Sequence, residues 1–149
     1  MRRLHLPFGL LLAAALLASA SWLRAQPADA AVFTAEQAAA GRVEYQAHCA
    51  GCHAGDLGGK DDAPALMGDA FLATWNPKTT RELFDFVRTA MPPDGGSITP
   101  DQYLTIIAHV LHQNGASPGA QPLTATTAVP INQVTMPRES PVVANAKVR

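Results

Sequence analysis

Apolar residues recur at helical spacing in three stretches of the chain, and each stretch follows a capping signature. In Thr34-Ala35-Glu36-Gln37 the threonine hydroxyl can satisfy an early helical amide while Gln37 reaches back, which predicts a helix running to about His48. Thr79-Thr80-Arg81-Glu82 repeats the device. Leu83, Phe86, Val87 and Ala90 then recur on one face until Pro92 stops the element beside Met91. Thr99-Pro100-Asp101-Gln102 adds proline at the first helical position, and Tyr103, Ile106, Ile107, Val110 and Leu111 follow as a single apolar stripe. Asn114-Gly115 offers that helix a left-handed end. The segment from Asp56 to Asn76, rich in Gly, Pro and Asp, predicts loop with a short helical turn near Asp69 to Thr74. No alternating strand pattern or internal repeat occurs, so the expected fold is all-α, with about three main helices plus loops.

The two ends read differently. Arg2 and Arg3 precede an apolar run from Phe8 to Ala20, and Ala18-Ser19-Ala20 is a small-x-small cleavage site, the pattern of a secretory leader covering residues 1–25. Cleavage is expected after Ala20 or after Ala25. An uncleaved membrane anchor is the alternative, since Leu4 to Leu23 holds no acidic or strongly basic residue. Either outcome puts the mature domain outside the cytoplasm, and the expected location is periplasmic. From Ala116 to Arg149 five prolines stand among Ala, Thr, Ser and Val with no helical period, so residues 116–149 are expected to be extended or disordered. The folded unit is then residues 34–115, although Val32, Phe33 and the tail valines are apolar enough to pack on it.

Of 149 residues only two are cysteines, Cys49 and Cys52, and they stand in Cys49-Ala50-Gly51-Cys52-His53. Two thiols three positions apart followed by an imidazole read as a c-type haem attachment site: each sulfur forms a thioether and His53 becomes an axial iron ligand. Zinc would need further ligands, and His48, His109 and His112 could serve only by coincidence of folding. A thioredoxin-like pair should follow a strand, and none is predicted here. A bare disulfide would close a tiny loop and leave His53 unexplained. So small a core would also gain from a covalently held, largely buried haem that supplies apolar surface.

A second axial ligand must come from elsewhere in the chain. Met91 stands between a helix stop and Pro92-Pro93, which would hold its backbone extended. Met67, in Pro64-Ala65-Leu66-Met67-Gly68, is closer in sequence and is expected to pack against the haem edge. Histidine ligation is the alternative. His48 adjoins the attachment motif too closely to reach the far face, and His109 and His112 are expected on the sides of the last helix.

Gly41, Tyr45, Cys49 to His53, Pro64-Ala65-Leu66, Phe71, Trp75, Met91-Pro92-Pro93 and Tyr103 to Leu111 together resemble a small class I cytochrome c, and the resemblance spans nearly the whole folded unit. It is closest to single-haem bacterial cytochromes that are free or serve a periplasmic dehydrogenase. The resemblance implies a cytochrome c fold wrapped around one covalent haem c. Cys49 and Cys52 would attach it, and His53 and Met91 would ligate its iron. It further implies that Gly41 occupies a close crossing of the first and last helices, that the Pro64 carbonyl holds the second nitrogen of His53, and that Trp75 packs near the haem edge with its N–H available to a propionate. Core packing is the plainer reading of Trp75. The Gly95-Gly96 pair and the long tail depart from the familiar pattern.

Between Thr34 and Gly115 five basic residues face ten acidic ones, a net charge of −5. Such a surface disfavours nucleic acid and anionic membrane and suits a basic or weakly charged partner. The expected function is one-electron transfer, with a periplasmic dehydrogenase or terminal oxidase as redox partner, no nucleic acid, and membrane contact only through an uncleaved leader. Two other readings stand beside it: a haem subunit docked by its tail to a larger dehydrogenase or oxidase, and a haem enzyme with an open sixth position.

Overall fold

The computed structural model describes residues 31–135; the expected leader and residues 136–149 lie outside that range. Six helices follow one another: α1 (Ala35–His48), α2 (Ala50–His53), α3 (Gly68–Trp75), α4 (Thr80–Ala90), α5 (Pro100–Gln113) and α6 (Ile131–Thr135). Among the described residues there is no strand, only isolated bridges between Lys60 and Ala63 and between Thr79 and Pro130. The fold is all-α.

Two of the three capping signatures close reciprocally. The Thr79 hydroxyl accepts from Glu82 N while the Glu82 carboxylate accepts from Thr79 N, and Thr99 and Gln102 do the same at α5. Those bonds hold the Glu82 carboxyl below its usual range. At α1 the hydroxyl of Thr34 accepts from Gln37 N, but the Gln37 side chain turns away. Its amide donates to the Leu123 carbonyl at 2.9 Å and its oxygen accepts from Leu123 N at 2.7 Å. A residue expected to finish a cap instead fastens a distant segment.

That segment corrects the expected boundary at Gly115. Residues 116–135 run extended over the domain and end in α6, burying Ala116, Leu123, Ile131 and Val134. Gly119 N donates to the Phe33 carbonyl, Ile131 N to the Lys78 carbonyl, and the buried Thr80 hydroxyl to Thr127 O. Proline removes backbone donors and resists helix, so the segment lacks a period. Its scattered apolar residues and backbone bonds to α1 and α4 nevertheless give it fixed places to lie. Val32 and Phe33 are buried with it.

Helix α5 is the central element, packed against α1, α4 and α6. Its buried set is wider than one stripe, because Leu104, Ala108 and His109 are covered as well as the five expected residues. The approach of α1 to α5 is closest at Gly41. A Cβ built there would lie 1.7 Å from the Thr105 carbonyl oxygen, so no side chain fits without separating the helices. The chain leaves α5 with Gly115 in the left-handed region, φ 91°. Gly41→Ala is expected to lower the unfolding free energy by about 3 kcal/mol or more, through overpacking against rigid backbone. Gly51→Ala meets nothing within 4 Å and should change it by less than about 1 kcal/mol. Denaturant unfolding of the two variants measures the difference.

Candidate functional site

The close helix crossing delivers the Cys49–His53 turn to the edge of an apolar cleft. Cys49 N donates to the Tyr45 carbonyl at the end of α1, and His53 N donates to the Cys49 carbonyl at 2.9 Å. The single turn of α2 therefore sets both thiols and the imidazole on a fixed scaffold. Cys49, Cys52 and His53 line the cleft with Pro64 to Leu66, with Phe71 and Trp75 of α3, and with Leu83, Phe86 and Val87 of α4. Met91 to Pro93, Ile98 and four residues of α5 complete it. No Asp, Glu, Lys or Arg is among the lining residues.

His53 is 9% exposed and its Nδ1 lies 2.8 Å from the Pro64 carbonyl oxygen. A carbonyl only accepts, so Nδ1 carries the proton and Nε2 is the nitrogen with a free lone pair. Among the described residues Nε2 has no hydrogen-bond partner and no buried side-chain nitrogen or oxygen is unsatisfied, so Nε2 opens onto free space. Pro64 is itself held in place. Gly59, at φ 80°, sits so close that a Cβ would lie 2.7 Å from the Ala63 carbonyl oxygen and 2.9 Å from the Pro64 carbonyl carbon.

Burial and the neighbouring Cys52 thiol push the Cys49 thiol up to about 11. Redox-active pairs of the thioredoxin kind work through lowered thiol pKa values, so this environment opposes that reading. No group of three or more His, Cys, Asp or Glu suited to a metal ion occurs among the described residues. The donor set is instead two thiols at the rim of an apolar slot and one oriented imidazole within it.

Of the two methionines among the described residues, only Met91 lines the cleft. It follows α4 with extended backbone, φ −129° and ψ 139°. Met67 was expected against the haem edge; it is 38% exposed and borders a different groove. It starts α3 with its backbone extended, while the adjoining residues Pro64 to Leu66 face the cleft. His48 lines the cleft, with Nε2 3.4 Å from the Glu44 carboxylate. His109 lies on the side of α5 that faces α1. It is buried against Tyr45, with ring centroids 5.6 Å apart, because α1 covers that face of α5. His112 is outside the cleft and meets Phe33 edge-on. Trp75 packs between Phe71 and Phe86 under the Lys78 ammonium.

Three positioning residues have roles that the sequence pattern did not reveal. The Tyr45 hydroxyl donates to the Ala54 carbonyl at 2.7 Å and lies 3.3 Å from that of His53. Tyr103 donates to the Met91 carbonyl. Asn114 accepts from Gly68 N at 3.0 Å and donates to the Leu66 and Val110 carbonyls at 2.9 and 2.8 Å. It thereby ties the end of α5 to the loop that carries Pro64. Read only as a helix end, Asn114 showed no trace of partners 46 and 48 positions away.

The family model described as cytochrome c oxidase, cbb3-type, subunit III matches residues 36–110, half of the chain. The chain belongs to this family of c-type cytochrome domains. The matched span runs from the first turn of α1 into α5 and includes Cys49 to His53, Pro64, Trp75 and Met91. No curated protein and no solved structure matches. The cofactor of the cytochrome domain is covalently bound haem c, and its role is haem-based electron transfer. The apolar slot, the rim thiols and the oriented imidazole fit that group.

Asn114→Ala would leave the Gly68 amide and the Leu66 carbonyl without their partners. The expected cost is about 2 kcal/mol or more of unfolding free energy, with faster amide exchange at Gly68, measured by denaturant unfolding and hydrogen exchange.

Proposed function

We propose that the protein is an exported single-electron carrier of the class I kind. Cys49 and Cys52 would hold the haem through thioethers, and His53 and Met91 would ligate its iron. The observation that carries this reading is the meeting of two thiols, an oriented imidazole and one methionine in a slot without charged side chains. When bound, the haem supplies an iron that exchanges one electron.

The chain's own residues set how easily that exchange occurs. The Pro64 carbonyl fixes the His53 ring and strengthens its donation through Nε2. Tyr103 anchors the backbone of Met91, so the thioether is presented from a held position rather than a free loop. The apolar walls from α3, α4 and α5 exclude water and disfavour added positive charge, which together with a thioether ligand favours the reduced state and a comparatively high potential. Trp75 lines the slot, and its indole N–H would be available to a propionate.

The apolar run at Phe8 to Ala20 supports a periplasmic location. Among the described residues no helix is long and apolar enough to cross a membrane. The family's description favours an oxidase complex as electron acceptor over a dehydrogenase, and the acidic domain suits a basic docking face.

Met91→Ala separates a closed carrier from a haem enzyme with an open sixth position. The expected result is loss of the six-coordinate low-spin spectrum, gain of binding by small exogenous ligands, and a potential lower by on the order of 0.1 V. Spectroscopy and redox titration of the variant read all three. An unchanged low-spin spectrum would sink methionine ligation.

A further inference from the structure

A second groove, of about 520 Å³, shares no residue with the haem cleft. Its size falls in the range of small-ligand sites. Arg42 and Gln46 of α1, Asp56 and Met67 from the intervening loop, and His109 and Gln113 of α5 line it. Two of these residues have unmet bonding capacity. The Arg42 guanidinium has no carboxylate within 4.0 Å among the described residues, whose ion pairs are His48–Glu44 and Arg81–Asp85. His109 is 4% exposed, yet among the described residues neither ring nitrogen has a hydrogen-bond partner. Since no buried side-chain nitrogen or oxygen among the described residues is left unsatisfied, both nitrogens reach open space, and the space His109 borders is this groove.

Donors outnumber acceptors. Arg42, the two glutamine amides and the imidazole N–H can all donate into the groove, although one N–H of Gln46 is already given to the Gly55 carbonyl at 3.0 Å. The one carboxylate, Asp56, opposes an anion, but one of its oxygens is engaged by Gly58 N at 3.0 Å. We propose that this groove binds a small oxyanion, a phosphate or a carboxylate, on Arg42 and His109, and that the occupied groove lowers the reduction potential of the adjoining haem site.

The second half of the proposal follows from what the groove touches. Residues 55–58 form one wall and continue directly from His53. The ring of Tyr45 packs on His109, and its hydroxyl binds the carbonyl of Ala54. Negative charge placed there stabilises the oxidised iron electrostatically. This half rests on the haem assignment of the preceding subsection; the binding itself does not.

His109 supplies a pH signature. The groups facing it are Arg42 and Tyr45 from α1, Asp56 across the groove, and His112 on its own helix. Burial, and then the charges of His112 and Arg42, hold His109 below the ordinary imidazole value, so it is neutral at pH 7. A bound anion offsets Arg42 and raises that value. By linkage, the anion binds more tightly as pH falls.

Inorganic phosphate, and separately acetate, would be titrated into the reduced full-length holoprotein at constant ionic strength, following the His109 ring nitrogens by NMR. The expected result is a saturable one-to-one shift, a raised His109 pKa and, for acetate, which stays largely ionised over this range, tighter binding at pH 5.5 than at pH 7.5 by roughly threefold or more. Tighter phosphate assigns a tetrahedral oxyanion, and tighter acetate a carboxylate. Arg42→Gln, at an exposed position, should weaken binding about tenfold or more, whereas Arg81→Gln should not. Linear, non-saturating shifts, or an Arg42→Gln variant that binds like wild type, overturn the site. Saturable binding with an unmoved potential overturns the link to haem alone.

Discussion

The crossing of α1 and α5 at Gly41 is the constraint on which the rest of the structure depends. With no side chain between Gly41 and the Thr105 carbonyl, the helices approach until backbone meets backbone. The end of α1, at His48, then lines the same cleft as Ile106, Ile107 and Val110 of α5. That pair orients the attachment turn and anchors the segments that bring Met91 and Pro64 to the site. Helix α2 continues from α1 with the two thiols and His53, and α5 presents Tyr103 to the Met91 carbonyl and Asn114 to the Pro64 loop. A spread of the crossing would therefore disturb both sides of the slot at once.

Local signals were legible wherever one residue answers to its near neighbours. The caps at Thr79 and Thr99, the stop at Pro92 and the stripe on α5 depend on contacts three or four positions apart, and the sequence displays those directly. The attachment motif is equally local, five residues on a single turn. The long-range polar contacts were not legible. Gln37 satisfies the local rule for a cap, but its bonds to Leu123 depend on where a distant segment lies, and no spacing rule encodes that. The same holds for Asn114. The packing of residues 116–135 was not legible for a related reason: periodicity detects helices and strands, whereas this segment is fixed by isolated apolar anchors and backbone bonds.

The two cavities divide the chemistry of the domain between them. The haem cleft has no charged lining, which suits a site whose work is a change of iron charge in a dry setting. The groove beside it holds Arg42, Asp56 and a buried imidazole with open nitrogens. Between them stand Tyr45 and the turn after His53, where Ala54 and Leu57 take left-handed φ of 62° and 64°. Non-glycine residues in that region mark a tightly determined backbone.

The proposed attachment is covalent, with haem c on Cys49 and Cys52 in the cleft that His53 and Met91 share. Acid–acetone extraction of the denatured protein, followed by a pyridine haemochrome spectrum of the pellet, tests it most directly. One haem per chain is expected to stay with the native sequence and to be released from a Cys49→Ser, Cys52→Ser double variant. Haem that extracts freely from the native chain would contradict it.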